Sequence, residues 1–320
     1  MRIAFLLQRT QPNDPTPRIN PVTDEVIACL RARGVHVDLL VPENDPVVLG
    51  EFQSLHDLYV LKSKTPLALS LAGALAMAGA ITLNTVESCN LARDKIVCTA
   101  LLAWRGVPVP PSWATGQPSK LPHLWEGPLW IKPQRGSKGR GVVRVESPAE
   151  LGLLKPLWDP FGLPLPLFAQ AEVPFEGDVL KVYVVGDRAW AVSKPWPVRT
   201  LEDKNGRRAF LPPDIEAAAI ACGHALGLEI YGVDVLVRGD AFYVVDVNAF
   251  PGFRGPPEGP ACIADYIYER AYERAMRFDG RGPHRLQHVT SLTGGPFTPL
   301  PWLVDRAEPR AEATKVGAPT

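Results

Sequence analysis

The sequence has 320 residues and a formal net charge of zero at pH 7, because 34 lysine and arginine residues balance 34 aspartate and glutamate residues. With 46% apolar and 21% charged residues, the composition is that of a globular protein of about two domains. The neutral balance gives no support for a protein that binds nucleic acid or a membrane surface by bulk charge. The 34 prolines are about twice the usual share of ~5% and predict many fixed loops.

Two further features exclude other classes of protein. The five cysteines are irregularly spaced and form no CxxC pair, so we expect them in the core rather than in a disulfide framework or a zinc site. Residues 67–83 (LALSLAGALAMAGAITL) carry no charge but are rich in alanine and glycine and lack aromatic anchors. They predict a buried helix that runs into a short strand, and we expect a cytoplasmic protein.

The first 85 residues predict an open α/β layer of parallel type, because helix and strand patterns alternate. Its predicted elements are a strand at 2–8, a helix at 23–33, strands at 35–41 and 58–61, the alanine-rich helix and a strand at 80–83. A proline-rich loop at 10–17 follows the first strand, where such sheets place their ligand crevice.

Beyond residue 85 the pattern changes to helices mixed with hairpins. The predicted elements are a helix at 90–105, a strand–glycine loop–strand unit at 127–145, a strand at 168–173, a hairpin of 180–185 with 189–193, a polar loop at 195–213, a helix at 214–226, strands at 231–237 and 242–248, and a helix at 261–277. From residue 280 onward the sequence has no periodicity and predicts a loosely packed or disordered tail.

Three polar side chains are expected to converge on the last two strands. Asp234 lies in the strand GVDVLV, and Asp246 and Asn248 lie two residues apart in VVDVN, so that their side chains share one face. In an antiparallel pair with a tight turn, Asp234 and Asp246 come close in register. Either acid alone would be read as a water-facing residue at a strand end. Three hard oxygen ligands on one face are suited to Mg²⁺ that bridges nucleotide phosphates.

A lysine and a glycine-rich loop predict a phosphate site. Lys132 ends an apolar strand, and the loop GSKGRG at 136–141 follows it. Glycines let backbone N–H groups approach phosphate oxygens, and the lysine adds a point charge. The spacing is that of neither a P-loop nor a Rossmann fingerprint.

Taken in chain order, these motifs resemble the ATP-grasp superfamily. They are Asp94-Lys95 at a helix, Lys132, the glycine loop, a strand at Gln170, the run KVYVVGD from Lys181, GVD ending at Asp234, and DVNAFPGFRG from Asp246. The resemblance covers about residues 84–277. It implies an α/β and α+β protein with an N-terminal parallel α/β domain and two lobes that enclose ATP. The expected domains are 1–85, 86–168 and 169–278, followed by a tail at 279–320.

The resemblance also implies roles for individual residues. Asp234, Asp246 and Asn248 would hold Mg²⁺, or Mn²⁺ in its place. The implied ATP contacts are Lys95, Lys132 and Lys181 at the phosphates or base, Gly136, Ser137, Gly139 and Gly141 over the phosphates, Gln170, Glu172 and Val173 along the adenine, and Asp178.

Two branches of the superfamily compete. The loop GSKGRGV and the ending NxxPGxxG resemble RimK-type carboxylate–amine ligases, in which a carboxylate is activated as an acyl phosphate. Lys181 and Lys194-Pro195 stand where those ligases usually carry arginines, and the string DVNAFPGF resembles the ATP-grasp inositol polyphosphate kinases. We favour the ligase, with the kinase as the alternative and a catalytically silent ATP-binding protein as a third reading.

The acceptor is expected to be anionic, as a small molecule or an acidic peptide. Basic residues lie in loops that could face the reacting end of the cleft: Arg18, Lys194, Arg199, Arg207, Arg208 and Arg254. Of these we predict Lys194, Arg199 and Arg254 as catalytic residues. Neither a nucleic acid nor a membrane is an expected partner.

Overall fold

The computed structural model describes residues 1–49, 54–117, 127–136, 141–147 and 166–277, together with 120–121, 139 and 150. By its contacts the chain divides into one unit, Met1–Pro283, and a second unit, His284–Thr320. The predicted tail at 279–320 lies outside the described residues.

A parallel sheet with its helices forms the N-terminal part. Its elements are β1 (Arg2–Leu6), β2 (Arg9–Gln11), β3 (Asp14–Pro17), α1 (Pro21–Ala32), β4 (His36–Leu40), β5 (Leu58–Leu61), α2 (Pro66–Met77) and β6 (Thr82–Leu83). The strand order is β4-β1-β5-β6, and all three pairings are parallel. Helix α1 begins where the Asn20 side chain accepts a hydrogen bond from the Thr23 N–H, and Pro21 occupies its first turn. The predicted parallel layer is confirmed.

The segment predicted as a loop at 10–17 contains the hairpin of β2 and β3 instead. A distant residue orders it, since Asn44 accepts a hydrogen bond from the Arg9 guanidinium at 2.9 Å and donates one to the Pro15 carbonyl at 2.8 Å. Local sequence carries no sign of such contacts.

The helix predicted at 90–105 is divided into α3 (Val86–Arg93) and α4 (Lys95–Trp104). Asp94 separates them with an extended backbone, and its carboxylate accepts hydrogen bonds from the N–H groups of Ile96 and Val97. Aspartate is a preferred N-cap residue, which favours a new start over an uninterrupted helix. Lys95 therefore opens α4, as expected.

Two antiparallel sheets follow. The central sheet has the order β7-β10-β8-β9, with β7 (Ser112–Thr115), β8 (Leu129–Pro133), β9 (Val143–Val145) and β10 (Leu167–Ala171). The C-terminal sheet has the order β13-β12-β11-β14-β15. Its strands and the helices between and after them are β11 (Val179–Val185), β12 (Arg188–Lys194), α5 (Leu201–Asn205), β13 (Arg207–Ala209), α6 (Pro213–Leu226), β14 (Ile230–Arg238), β15 (Ala241–Ala249) and α7 (Gly259–Arg277). The predicted boundary at 168 falls inside β10, and the domain limits stay predictions.

The loop predicted at 195–213 contains two short elements. Helix α5 begins at a capping box, in which Thr200 and Asp203 bond each other's backbone N–H groups. Strand β13 then pairs with β12 at the edge of the sheet. The capping box is visible in the sequence, whereas a three-residue edge strand has too few residues to show a pattern.

The core joins the N-terminal sheet to the C-terminal one. One cluster combines Ile3 and Phe5 of β1 with Tyr183 of β11 and with Ile263 and Ile267 of α7. Helix α1 packs against α7 on the same side. All five cysteines are free; Cys89, Cys98, Cys222 and Cys262 are buried and Cys29 is partly buried, as predicted. Within the described ranges, no helix has the length and apolar character needed to span a membrane.

Candidate active site

The three predicted metal ligands lie together on the last two strands. Asp234 of β14 is directly opposite Asp246 of β15, and Gly232 is opposite Asn248. The Asn248 amide nitrogen donates a hydrogen bond to Asp246 at 2.7 Å, which leaves the amide oxygen as a potential ligand. In the described part of the chain, no group of three or more His, Cys, Asp or Glu side chains is placed so that it could hold a metal ion. Two carboxylates and one amide oxygen nevertheless form a hard donor set that fits Mg²⁺.

Lys181 neutralises part of this acidic cluster. Its ammonium lies 2.8 Å from the Asp234 carboxylate, and the lysine is only 7% exposed. Burial raises the pKa of Asp234 and the nearby Asp246 raises it further, while Lys181 opposes both. The contact places Lys181 beside the candidate metal ligands, and its role at the phosphates stays a prediction.

Lys132 of β8 is held by the strand beside it. Its ammonium donates a hydrogen bond to the Gln170 side chain at 2.8 Å, and Gln170 is 3% exposed. Burial lowers the pKa of Lys132 to about 8, an effect that Asp246 opposes and Lys95 reinforces. A cation that has lost its water and faces a neutral amide is suited to an anionic phosphate.

The glycine loop is described in part. Gly136, Gly139 and Gly141 are placed, the last two with a positive φ, whereas Ser137 lies outside the described residues. The loop is attached to the start of α4, because the Lys95 side chain donates to the Gly136 carbonyl at 3.3 Å. The Lys95 N–H also donates to the Gln134 carbonyl at 3.0 Å. Lys95 and the loop are therefore brought together as expected.

The segment predicted along the adenine is held by backbone and side-chain contacts. The Glu172 N–H donates to the Pro128 carbonyl at 3.0 Å, and the Glu172 carboxylate is bound by the guanidinium of Arg144. The N–H and the carboxylate of Glu172 therefore already have partners, and Glu172 stays a predicted adenine contact. Val173 keeps an N–H that no described residue accepts, and it also stays a predicted adenine contact.

The remaining predicted residues are more scattered. Asp178 accepts a hydrogen bond from Ser193 at 2.5 Å, which joins the two strands of the β11–β12 hairpin. Lys194 donates to the Tyr183 hydroxyl at 2.8 Å, and burial, with Lys181 adding, lowers the pKa of Lys194 to about 8. Arg199 is exposed on the loop before α5. Arg254 donates to Asn205 at 3.4 Å. Of the predicted catalytic residues, Lys194 lies close enough to Lys181 for the charge of Lys181 to act on it.

The sequence did not predict three basic residues that lie near the candidate metal ligands, Lys64, Arg93 and Arg135. A cavity of about 210 Å³ adjoins Asp246 and Asn248. The cations that line it are Lys64, Arg93, Lys95 and Arg135. Lys64 follows β5 at the carboxyl edge of the parallel sheet, the edge at which such sheets bind ligands, so the strand order could have revealed it.

Lys62 joins the parallel sheet to the end of β15. Its ammonium donates to the Phe250 carbonyl at 2.9 Å and to the Pro251 carbonyl at 2.5 Å. It also lies 4.1 Å from the centre of the Phe250 ring. Burial, with Lys64 adding, lowers the pKa of Lys62 to about 7. Lys62 therefore fixes the chain directly after the candidate metal ligands.

Known proteins resemble this chain at several levels. The family described as "Inositol 1,3,4-trisphosphate 5/6-kinase ATP-grasp domain" matches residues 191–269. A "Probable alpha-L-glutamate ligase 1" of Shewanella amazonensis is 25% identical over 284 residues, which cover 82% of this chain and 90% of the relative.

Solved structures share the fold. A RimK domain ATP-grasp protein from Sphaerobacter thermophilus has a TM-score of 0.63 at 19% identity and covers 84% of this chain and 100% of its own. A D-alanine–D-alanine ligase from Bacillus anthracis, solved with ATP, has a TM-score of 0.62 at 19% identity, covering 87% and 99%. The predicted ATP-grasp fold is confirmed, and the chain resembles the RimK-type ligases that share it.

Proposed function

We propose that the protein is an ATP-dependent carboxylate–amine ligase that activates an anionic acceptor as an acyl phosphate. The observation that carries the proposal is the convergence of Asp234, Asp246 and Asn248 beside Lys181. Asp246 and Asn248 also line a cavity that adjoins the glycine loop. The relative named as a glutamate ligase supports an amino acid or an acidic peptide as substrate.

The described residues supply the groups that such a reaction needs. Lys132 and Lys95 would neutralise the phosphates of ATP under the glycine loop, and Val173 would bind the adenine. Asp234, Asp246 and Asn248 would hold Mg²⁺, which when bound offsets the negative charge of the phosphates. ATP as the co-substrate also agrees with the expected cytoplasmic location.

The proposed reaction has two steps. A carboxylate oxygen of the acceptor attacks the γ-phosphorus, the bond from that phosphorus to the bridging oxygen of ADP breaks, and an acyl phosphate forms. An amine then attacks the acyl carbon, phosphate leaves, and the nitrogen loses a proton as the amide forms. Positive side chains around the leaving groups lower both barriers.

A kinase is the second candidate, because the matched family at residues 191–269 is named after an inositol phosphate kinase. Its first step would be the same attack on the γ-phosphorus, by an alcohol oxygen instead of a carboxylate. The product would then be a stable phosphate ester with no amine incorporated.

Trapping with hydroxylamine separates the two candidates. ADP release is measured with a panel of amino acids and acidic peptides and with a panel of inositol phosphates, in the presence of hydroxylamine. The ligase is expected to form a hydroxamate, since an acyl phosphate reacts with this nucleophile. A phosphate ester without hydroxamate would overturn the ligase in favour of the kinase. Nucleotide binding without any acceptor-dependent ADP release would favour a silent ATP-binding protein.

Variants of the candidate metal ligands test the site itself. Asp246→Asn and Asn248→Ala are each expected to lower acceptor-dependent ADP release by about 100-fold or more, by analogy with the loss of a charge-stabilising group. Asp240→Asn is the matched control, because Asp240 is an exposed acid in the turn of the same β14–β15 hairpin. Wild-type turnover in either site variant would refute the assignment.

A further inference from the structure

Two cations of the 210 Å³ cavity, Lys64 and Arg93, have no hydrogen-bonded or ion-paired acid among the described residues. Lys64 lies three residues beyond the end of β5, and Arg93 is the last residue of α3. Within the described ranges, neither side chain donates a hydrogen bond to a protein acceptor or forms an ion pair. Both side chains are partly withdrawn from water. Burial lowers the pKa of Lys64, an effect that Asp246 opposes, and burial together with Arg135 lowers the pKa of Arg93.

The other two cations of the cavity have contacts. Arg135 lies 3.9 Å from the Asp94 carboxylate, and Lys95 is bonded to the Gly136 carbonyl. Asp246 is the one acid in the cavity lining, so four positive side chains face a single carboxylate there. Partly buried charges cost free energy unless an opposite charge accompanies them. Lys64 and Arg93 are therefore arranged to receive an anion.

The position of the cavity indicates which molecule carries that anion. Its lining includes Gly136 of the glycine loop together with Asp246 and Asn248, so it adjoins the end of the site where the terminal phosphate would react. Lys132, Gln170 and Val173, which would contact the rest of the nucleotide, are absent from the lining. Lys64 enters the cavity from the N-terminal part of the chain, which contributes none of the residues predicted to contact the nucleotide.

We infer that Lys64 and Arg93 bind a second anionic group of the acceptor, a carboxylate or a phosphate separate from the group that takes the phosphoryl group of ATP. This inference rests on the proposed function, since it assumes that ATP occupies the remainder of the site. The acceptor is then at least a dianion, and its second anionic group binds to Lys64 and Arg93. Neutral or monoanionic analogues would lose both side-chain contacts.

Calorimetry on the full chain, saturated with Mg²⁺ and the non-hydrolysable analogue AMPPNP, tests this inference. Three probes are compared: glutarate with two carboxylates, 3-phosphonopropionate with one carboxylate and one phosphonate, and glutaramate, in which an amide replaces one carboxylate of glutarate. We expect at least one dianion to bind about tenfold or more tightly than glutaramate, because charge-assisted hydrogen bonds are the strong ones. The stronger dianion identifies whether the second group is a carboxylate or a phosphate.

Substitutions connect the preference to the two residues. Lys64→Met and Arg93→Met are each expected to weaken dianion binding by about tenfold and to remove the preference over glutaramate, while AMPPNP still binds. Lys64→Arg should restore the preference, since it returns a cation to the same place. Arg105→Gln is the matched control, because Arg105 is exposed at the opposite end of α4 from Lys95.

The outcomes separate this inference from the proposed function. Equal affinity of wild type for all three probes, or an unchanged preference in both methionine variants, would overturn the inference and leave the ligase proposal intact. Failure of wild type to bind AMPPNP would contradict the proposed function instead. In that case the same three probes are titrated into the nucleotide-free protein. A preference for a dianion over glutaramate that is lost in Lys64→Met would still support the anion site, and equal affinities would refute it.

Discussion

The buried ammonium of Lys132 is hydrogen-bonded to the neutral side-chain amide of Gln170. The ammonium is held 2.8 Å from an amide oxygen rather than from a carboxylate, and burial lowers its pKa to about 8. Near that pH about half of the lysine is neutral in the nucleotide-free protein. A triphosphate placed beside it would favour the charged form and return the pKa toward its usual value.

Binding of nucleotide should therefore be accompanied by uptake of protons. At pH 8, with Mg²⁺ present, we expect AMPPNP binding to take up about half a proton at Lys132, because its pKa rises from about 8. Calorimetry in two buffers of different ionisation enthalpy measures this number. Lys132→Met should lower it, whereas Lys204→Met, at an exposed position in α5, should leave it unchanged. Equal proton uptake in wild type and Lys132→Met would show that Lys132 is not at the phosphates.

At the scale of single elements, helix α6 depends on a glycine that lets an aromatic ring approach. A Cβ atom at Gly223 would lie 2.3 Å from the hydroxyl oxygen of Tyr231, which is 2% exposed and donates a hydrogen bond to the Ala219 carbonyl. The tyrosine is fixed by this bond and by the core around it. Helix α6 can therefore pack against Tyr231 of β14 only if position 223 has no Cβ atom.

A pair of glycine substitutions tests this packing. Gly223→Ala is expected to lower the free energy of unfolding by about 1–3 kcal/mol, the usual cost of an overpacked core. Gly73→Ala in α2 is the control, since its Cβ would meet only the Val86 side chain at 3.9 Å. That change should raise stability by about 0.5–1 kcal/mol through helix propensity. Urea denaturation compares the two, and similar effects of both changes would contradict the proposed contact.

The elements also show what the sequence could and could not predict. The Asp246–Asn248 pair was predictable because a strand with a period of two residues places both side chains on one face. The division at Asp94 and the hairpin at 9–17 were missed, since the first needs the carboxylate geometry of one residue and the second depends on Asn44. Lys64 was missed although its place after a parallel strand could have indicated it, whereas Arg93 cannot be distinguished from a solvated helix residue until folding partly buries it.

Asn84 joins two sheets at the scale of the whole molecule. It lies directly after β6 and is completely buried. Its amide nitrogen donates to the Ile230 carbonyl at 2.7 Å, and its oxygen accepts from the N–H groups of Glu229 and Ile230 at 2.8 and 3.0 Å. One side chain thus satisfies three backbone groups where β14 begins.

Loss of this side chain should be costly. Asn84→Ala removes the acceptor of the Glu229 and Ile230 N–H groups, whereas the Ile230 carbonyl keeps the hydrogen bond from the Phe250 N–H at 2.8 Å. We therefore expect a loss of about 2 kcal/mol or more in the free energy of unfolding. Asn90→Ala is the matched control, because Asn90 lies in α3 and its side chain bonds to no described residue. Thermal and urea denaturation measure both changes. A cost below about 1 kcal/mol for Asn84→Ala would show that water replaces the amide.

The core shared by β1, β11 and α7 has a consequence for modularity. Helix α7 lies near the end of the described chain yet packs against α1, more than two hundred positions earlier. The N-terminal part, which carries Lys64, therefore shares its core with α7. The first 85 residues therefore do not have a hydrophobic core separate from the rest of the chain. A chimera intended to exchange acceptor preference between relatives has to transplant α7 together with the N-terminal sheet, and selection acting on either segment constrains the other.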